Sequence, residues 1–508
     1  MVTRVIHSLI ALSLISVMYV GLMPTAKAEF PNEIFLPWVT NGTMIEDPRG
    51  FDSLGPFYAS VTIQNPHSFT ILVERTVTAT GEFEDILLDA HQSVTLNASM
   101  LGIPAGSGSG VILRGKTLQS FDVPIAAVVK QSSPVAQESM AVTSGDHVTS
   151  AGYTGLLAQD IDSEIVLPIV QTNSNWNTLI RVTNFSSSVS SQTHLWLHES
   201  GGGATIGPIV EHTPPGQTTT FDLLDLGVPE GWVGSAVITS GNLGAVAERV
   251  KNETKMLVMN TSRSTDVPDN EQFAALVFRD WFHWNTGISL VNLAAVDNDV
   301  MVTYYAPDGS QVHSTDLTLP ANGMDFLYLP SGAGDEAFVG SAIIEAEEPF
   351  VGSVDEVKYL GDADDTGHAM SYMVDDDGIA FQHRSLLLSL YQRGDENLSS
   401  GDTTGIQIFN PTAETAGILI QVFAPNGSVA IASTEQLQPK QGHTFYAFDD
   451  LGALAPGFTG SVVITVTEGN GAIVAVSNNV NYVVQFDGSA SFNLIRANLH
   501  VFCEGPCP

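Results

Sequence analysis

Basic residues are scarce in this sequence. Its 508 residues include 18 Lys and Arg against 55 Asp and Glu, which gives a formal net charge of −37 at pH 7. A surface of this sign repels the phosphates of nucleic acids and of anionic lipid headgroups. The composition therefore argues against nucleic-acid binding and against adsorption to an anionic membrane.

Long hydrophobic runs are lacking after the N-terminus. Residues 1–28 combine a basic start, an uncharged apolar stretch and the sequence Ala26-Lys27-Ala28, which is typical of a cleaved secretory signal peptide. The alternative is an uncleaved anchor helix, for which the apolar stretch is short. No later stretch is long and apolar enough to span a bilayer, so we expect an exported protein, located in the periplasm, at the cell surface or outside the cell.

Cysteine is almost lacking as well. The two cysteines, Cys503 and Cys507, lie in the terminal sequence FCEGPCP. Export permits a disulfide, and the Gly and Pro between them favour a tight turn. A metal or redox pair is the alternative, but two cysteines alone do not supply the ligands that zinc requires. We expect a disulfide in this tail.

Amphipathic helical stretches are also lacking after residue 28, whereas alternating apolar residues recur. Four segments with this period of two predict related β-strands. They read FYASVTIQN, WNTLIRVTN, WNTGISLVN and TTGIQIFN, and they end at Asn65, Asn184, Asn292 and Asn410. We expect each asparagine to point inward and to hold a turn through hydrogen bonds to loop backbone.

Other strand and turn signals recur in the same order around each asparagine strand. Hairpin turns follow at Pro307-Asp308-Gly309 and Pro425-Asn426-Gly427. Units of about 110 residues with roughly seven strands predict all-β, immunoglobulin-like sandwiches, with a closed barrel as the alternative. The predicted organisation is a signal peptide over 1–28, four β-sandwich repeats over 29–145, 160–262, 272–378 and 381–498, and a cysteine-containing tail over 499–508.

The joints between the four repeats are rich in Asp, Ser, Thr and Gly. Because they hold few large apolar residues, we expect small contacts between repeats. Each repeat is also long enough to bury a core of its own. The sequence thus predicts four repeats that fold independently, so that residues 272–378 alone would unfold cooperatively.

These landmarks resemble the tandem β-sandwich repeats of exported bacterial proteins, whose pattern runs from WNT-x-I-x-V-x-N through PDG to F-x-GSA-x-I. Repeat 3 matches best, with WNTGISLVN, YYAPDGS, LPANG and FVGSAIIE, whereas repeats 1 and 4 lack the WNT start. The resemblance covers nearly all of residues 30–495. It implies a secreted or surface-exposed scaffold, and it supplies no catalytic residues.

One acidic segment has the composition of a calcium loop. Asp362, Asp364 and Asp365 place carboxylates near alternate positions, with Gly367 at the turn. The twelfth position is Met373 instead of the bidentate Glu that such a loop needs. The two interpretations are a looser calcium site and a solvated acidic linker.

Tryptophans give the best indication of a ligand. Trp176 and Trp284 open the asparagine strand in repeats 2 and 3, and Trp281 belongs to the dense aromatic sequence WFHW. Aromatic faces on a β-sandwich can stack on sugars, but the recurrence of a Trp at one place in two repeats also suits packing. Trp281 and Trp284 are the candidate ligand residues, and an outward-facing Trp284 would favour the sugar interpretation.

Catalytic motifs are lacking too. No nucleophile elbow, phosphate-binding loop or dinucleotide fingerprint occurs, so we expect no enzymatic activity and no cofactor besides calcium. The sequence predicts a non-enzymatic, exported structural or adhesive protein of the bacterial surface or exterior. The alternative is a secreted carbohydrate-binding protein that uses exposed Trp residues. The expected partner is a protein or glycan surface.

Overall fold

The computed structural model describes residues 32–133, 149–329, 337–358, 367–375, 384–394, 402–447, 454–481 and 489–499. Three sets of predicted features lie outside these residues: the signal peptide, the aspartates Asp362, Asp364 and Asp365, and the cysteines Cys503 and Cys507. No helix in the described ranges is long and apolar enough to cross a membrane.

The described chain is all-β, which confirms the predicted fold class. Its only helical segments are two short 3₁₀ turns, Ala158–Asp160 and Ser200–Gly202. The alternating sequence explains the strands: in the asparagine strand of repeat 3, Ile288 and Leu290 are fully buried because every second side chain faces the core.

Repeat 1 contributes nine strands: β1 (Glu33–Ile45), β2 (Leu54–Gln64), β3 (Ile71–Val77), β4 (Glu82–Leu88), β5 (Ser93–Asn97), β6 (Ser107–Thr117), β7 (Ala126–Ser132), β8 (Ser150–Thr154) and β9 (Leu156–Leu157). Repeat 2 contributes eight: β10 (Asp162–Gln171), β11 (Asn177–Asn184), β12 (Ser191–Glu199), β13 (Thr205–Thr213), β14 (Thr218–Asp222), β15 (Val233–Lys251), β16 (Met256–Thr261) and β17 (Arg263–Ser264).

Repeat 3 contributes eight: β18 (Glu271–Arg279), β19 (Trp284–Asn292), β20 (Asn298–Tyr305), β21 (Gln311–Leu319), β22 (Met324–Tyr328), β23 (Phe338–Ala346), β24 (Phe350–Lys358) and β25 (His368–Met373). Repeat 4 contributes nine: β26 (Arg384–Arg393), β27 (Asp402–Phe409), β28 (Ala416–Phe423), β29 (Val429–Leu437), β30 (Gly442–Tyr446), β31 (Phe458–Gly469), β32 (Val474–Asn481), β33 (Ala490–Asn493) and β34 (Ile495–Asn498).

Repeats 3 and 4 each have two separate antiparallel sheets, whereas in repeats 1 and 2 a long strand joins the corresponding two layers into one sheet. Repeat 3 shows the plan, with one sheet in the order β21-β20-β23-β18 and another in the order β22-β19-β24-β25. Repeat 4 has the same two sheets, extended by β34, so a closed barrel does not describe the strands seen in these two repeats. In repeat 2 the long strand β15 pairs with both layers. The immunoglobulin-like topology stays a prediction.

The four asparagines occupy the same place at the C-terminal end of their strands, and each is at most 1% exposed. Asn292 donates from Nδ2 to the carbonyls of Val296 (2.7 Å) and Pro320 (3.0 Å), and its Oδ1 accepts from the backbone N–H of Ala294 (2.9 Å). Asn65, Asn184 and Asn410 make equivalent bonds. Each side chain therefore joins two loops to the strand end.

The Asn292→Ala variant should lower the free energy of unfolding by roughly 1–3 kcal/mol, because the loop groups that Asn292 satisfies lose their partner while buried. Urea unfolding of the full chain measures this loss. Asn270→Ala, at an exposed position, is the control and should be neutral. Equal stability of the two variants would contradict the structural role of Asn292.

The repeats are not separate units, and the prediction of small contacts between them is wrong. The last strands of the four second layers, β8, β16, β25 and β33, contact one another in the closed cyclic order β8–β16–β25–β33–β8. Direct hydrogen bonds join them, such as Asn493 Nδ2 to the Met373 carbonyl (2.7 Å) and Thr154 Oγ1 to the Asn493 carbonyl (2.7 Å). All described residues belong to one compact unit, so the four repeats form a ring.

Hairpin tips make a second set of cyclic contacts. The hairpin of repeat 3 reaches the β29–β30 loop of repeat 4, where Gly442 donates its N–H to the Pro307 carbonyl (3.1 Å). The hairpin of repeat 4 reaches repeat 1 in the same way, where Ser93 donates to the Pro425 carbonyl (3.3 Å). Gly427 at that tip has φ +82° and lies so close to the Ala90 carbonyl that a Cβ would be 2.0 Å from its oxygen. This contact closes the ring.

A polar pair lies at each of the four seams between neighbouring repeats. Adjacent positions on β7, β15, β24 and β32 supply all of these residues. The pairs are Gln131–Glu248 (2.8 Å), Arg249–Asp355 (2.5 and 2.6 Å), Glu356–Asn478 (2.6 Å) and Asn479–Lys130 (2.6 Å). Because the four pairs differ in chemistry, exchanging two repeats would leave buried polar groups mismatched.

The Arg249→Met variant should lower the free energy of unfolding by about 3 kcal/mol, because it leaves the Asp355 carboxylate at a seam without its cation. The double variant Arg249→Met/Asp355→Leu should recover most of that loss. Urea midpoints measure both. Arg114→Met removes a more exposed pair with Glu33 and should cost at most about 1 kcal/mol. If Arg249→Met is as mild as this control, the seam pair does not hold the ring together.

Candidate ligand-binding cleft

A cleft of about 570 Å³ opens at the seam between repeats 3 and 4 and is called the 3/4 cleft here. Repeat 3 lines it with Trp281, Phe282 and Trp284, and repeat 4 with Gln407, Tyr446 and Asn478, among others. It therefore contains both tryptophans that the sequence singles out as ligand candidates. Its shape follows from the ring, since one end of the repeat 3 sandwich faces the β30-β27-β32-β33 sheet of repeat 4.

The aromatic wall of the 3/4 cleft is a tight turn. Trp281 and Trp284 exchange backbone hydrogen bonds of 3.1 and 2.9 Å across Phe282 and His283. These two central residues have φ +49° and +68°, a conformation for which hairpins usually use Asn and Gly. Trp281 is 38% exposed and Phe282 is 73% exposed, and their rings meet edge to face.

Repeat 2 builds the same turn without aromatic side chains at the positions of Trp281 and Phe282, where it has Asn173 and Ser174. There Trp176 donates to the Asn173 carbonyl (2.8 Å), and the central residues Ser174 and Asn175 have φ +48° and +64°. Small polar residues thus suffice for this backbone. The fold does not require the exposed aromatic residues of repeat 3.

Trp284 itself is only 4% exposed. Its ring lies 6.0 Å from the ring of Phe278 and 5.8 Å from that of His368. Burial lowers the pKa of His368 to about 4, so that imidazole is neutral at pH 7. The packing interpretation therefore describes Trp284, and Trp281 offers the more exposed ring of the two candidates.

The floor of the 3/4 cleft comes from the outer face of repeat 4. Gly405 lies directly across from Tyr446 on the neighbouring strand, and the Tyr ring packs over the glycine at 3.4 Å from where a Cβ would stand. Beside them, Gln407 is 2% exposed and accepts from Thr444 Oγ1. The amide nitrogen of Gln407 has no hydrogen-bond partner within the described part of the chain. The nitrogen is enclosed beside Gly442, and a buried donor without a partner is uncommon in native proteins.

The described lining of the 3/4 cleft carries a single charge, on an ammonium group. Among the described residues that line it, Lys358 is the one charged side chain, and its Nζ lies 5.9 Å from the Trp284 ring centre. No group of three or more His, Cys, Asp or Glu side chains within the described ranges could hold a metal ion. The lining offers aromatic faces, amides and hydroxyls, which suit binding of a neutral polar molecule.

A buried carboxyl group lies beside the 3/4 cleft, next to its lining residue Asn478. Glu356 of repeat 3 accepts from Asn478 Nδ2 at 2.6 Å through Oε2, while its Oε1 has no partner in the described ranges. Burial, with a smaller contribution from the Asp355 charge, raises the pKa of Glu356 to about 8. The group is therefore mostly protonated at neutral pH.

Sequence reasoning missed Gly405, Gln407, Tyr446 and Glu356. One signal was available: the asparagine strands of repeats 3 and 4 carry Gly at the same position, Gly287 and Gly405, where repeats 1 and 2 have Ser and Leu. A recurrent Gly within a strand marks a close approach or a hollow. The amide and the carboxyl group gave no local signal, because their setting depends on the seam.

Comparison with known proteins adds little. No family model and no curated protein matches the sequence. Thermotoga maritima 1070 is similar at 10% identity and a TM-score of 0.19, over 22% of this chain and 96% of that chain. The serine-rich repeat protein Srr2 of Streptococcus agalactiae gives 8% identity and a TM-score of 0.11, over 52% and 88%. Dimeric latent PorU of Porphyromonas gingivalis gives 9% and 0.13, over 73% and 31%. Function must therefore be argued from the clefts of this all-β, multi-domain chain.

The stability of the protein should fall between pH 7 and pH 8, and Glu356→Gln should remove this part of the pH dependence. A carboxyl group of the unfolded chain ionises near pH 4.5, whereas folded Glu356 holds its proton to about pH 8. The folded state thus loses stability as pH rises from about 4.5 through 8, by at most ~1.4 kcal/mol per pH unit.

Urea midpoints at pH 7 and pH 8 measure this effect. The buried histidines His67 and His368 have pKa values lowered from 6.5 to about 4. Their slope has the opposite sign and fades above pH 6.5, where the unfolded chain also loses its imidazole protons. Glu347→Gln, at an exposed carboxylate, is the control and should keep the slope of the natural chain. A Glu356→Gln variant with an unchanged slope would show that Glu356 does not titrate as a buried acid.

Proposed function

We propose that this is an exported, non-enzymatic adhesive protein of the cell exterior that binds a glycan in the 3/4 cleft. The observation that carries the proposal is the pair Trp281 and Phe282. Both rings are held exposed on a left-handed turn that repeat 2 builds from Asn and Ser. Exposed aromatic side chains on a strained turn are a feature of binding sites, and stability gives no reason for them here.

The chemistry of the 3/4 cleft fits a sugar. Pyranose rings present C–H groups on their faces, which pack on aromatic rings, and hydroxyl groups at their edges, which need hydrogen-bond partners. Trp281 and Phe282 supply the rings, and Gln407, Thr444 and Tyr446 are polar residues of the lining. A few directed polar groups in an aromatic cleft are the usual composition of a small-molecule site.

Charge narrows the class of glycan. The chain carries a net charge of −37, which repels polyanions, and the described lining holds no carboxylate that would pair with a cationic sugar. We therefore propose a neutral glycan. A β-linked glucose chain fits best, because its hydroxyl groups are equatorial and both faces of each ring are free to stack.

The proposals that the protein is exported and that it has no enzymatic activity rest on the sequence. Residues 1–28 have the pattern of a signal peptide, and no nucleophile, phosphate-loop or dinucleotide motif occurs. The one buried acid with a strongly raised pKa beside the cleft is Glu356. Glycoside hydrolysis needs a second carboxyl group across the substrate, and the described lining of the 3/4 cleft does not supply one.

The variant Trp281→Asn/Phe282→Ser places the residues of repeat 2 on the turn of repeat 3. It should weaken binding of cellohexaose at the 3/4 cleft at least tenfold, as measured by isothermal titration calorimetry. Its thermal midpoint should stay within a few degrees of the natural value, because repeat 2 shows that Asn and Ser support this turn. A glycan array then defines the breadth of the specificity.

Phe121→Ser is the matched control, since Phe121 is 68% exposed on repeat 1 and does not line the cleft. Its affinity for cellohexaose should equal that of the natural chain. The proposal fails if the natural chain does not bind cellohexaose, or if the double variant keeps the natural affinity at this cleft.

A further inference from the structure

A second cleft, of about 170 Å³, opens at the seam between repeats 2 and 3 and is called the 2/3 cleft here. Repeat 2 lines it with Asn173, Ser174 and Trp176, and repeat 3 with Gly287, Phe326 and Tyr328 among others. Phe326 and Tyr328 are 43% and 39% exposed. They lie two residues apart on β22, so both rings stand on the same outer face of the sheet.

Strand register shows that the two clefts are built alike. In repeat 3, Gly287 pairs with Tyr328, as Gly405 pairs with Tyr446 in repeat 4. Trp176 of repeat 2 holds the place that Trp284 holds in repeat 3, directly after the left-handed turn. A Cβ on Gly287 would have no neighbour closer than 3.9 Å, so the glycine leaves a hollow in the floor.

The other two seams do not have this floor. On repeat 2 the same register holds Leu179 and Asp222, and the guanidinium of Arg181 stacks on Trp38 at 4.6 Å. On repeat 1 it holds Ser60 and Asn97. The Gly–Tyr pair therefore belongs to the two seams that open into these clefts.

The 2/3 cleft also has an aromatic residue where the fold does not need one. It lies on the floor of the cleft, whereas the aromatic residues Trp281 and Phe282 lie on the wall of the 3/4 cleft. Phe326 stands at a register position that holds Thr in every other repeat: Thr95, Thr220 and Thr444. A β-branched Thr suits an exposed strand position, whereas a 43% exposed Phe326 gains little from folding.

A residue in the lining of the 2/3 cleft also has an amide atom without a partner among the described residues. The Asn173 side-chain oxygen is buried and has no partner among the residues that the structure describes. Gln407 leaves an amide nitrogen in the same condition in the 3/4 cleft. Each cleft thus combines exposed aromatic rings, a Gly–Tyr floor and one amide group that lacks a partner.

We propose that the 2/3 cleft is a second site for the same class of neutral β-linked glycan, an inference that rests on the function proposed above. Both clefts use repeat 3, which contributes the floor of the 2/3 cleft and the aromatic wall of the 3/4 cleft. A polymer with a repeating unit engages both sites of one ring, so the second contact forms at the high effective concentration that the first creates.

Three variants test this in the full chain with cellohexaose as the probe. Calorimetry should give two sites for the natural chain and one site each for Phe326→Thr and for Trp281→Asn/Phe282→Ser. The variant that combines all three substitutions should bind none. Hydroxyethylcellulose, a soluble polymer, should bind the natural chain at least tenfold more tightly than either single-cleft variant.

The outcomes separate the two proposals. A single site that is lost in Trp281→Asn/Phe282→Ser and unaffected by Phe326→Thr overturns the second site and leaves the first. A single site that Phe326→Thr removes supports the 2/3 cleft and overturns the 3/4 cleft. No binding of cellohexaose to the natural chain overturns both. Phe326→Thr introduces the residue of the other three repeats, so a change in fold is not expected, and its thermal midpoint verifies this.

Discussion

Head-to-tail docking of each repeat on the next is the constraint on which the rest of the structure depends. Hairpin tips reach the following repeat, the last strands of the second layers contact in a closed cycle, and repeat 4 returns to repeat 1. The polar pairs at the seams exist only because of this closure. So do the clefts, since each needs the end of one sandwich to face the second layer of its neighbour.

Local features of the fold could be predicted from the sequence because their causes are local. Alternation of apolar residues defines strands, and Asn or Asp before Gly defines hairpins, which is why the all-β class and the asparagine strands could be identified. The ring could not be predicted. Its contacts join residues such as Arg249 and Asp355, 106 positions apart. The polar joint between repeats 1 and 2, which suggested independence, itself supplies the strand β8 of the central cycle. The strand β8 shows the same difficulty, since it begins at Ser150, beyond the expected end of repeat 1 at residue 145.

The candidate site was partly visible in the sequence. Trp281 and Trp284 stood out as a dense aromatic pair, but only the structure shows that Trp284 is buried while Trp281 and Phe282 remain exposed. The residues that form the floor of this cleft, such as Gln407 and Tyr446, belong to repeat 4 and carry no local sequence motif. The most informative comparison proved to be internal: four copies of one sandwich in one chain show which residues the fold requires and which it does not.

Closure of the ring also sets the number of repeats. An open array of repeats can gain or lose a unit at its end, because each unit contacts only its neighbours and the ends stay free. Here the hairpin of repeat 4 already occupies the loop of repeat 1, and the four central strands complete a cycle. A fifth repeat would require a new angle at every seam, and a missing one would leave two seams open. Duplication of a repeat, the event that lengthens most repeat proteins, is therefore barred by geometry once the ring has closed.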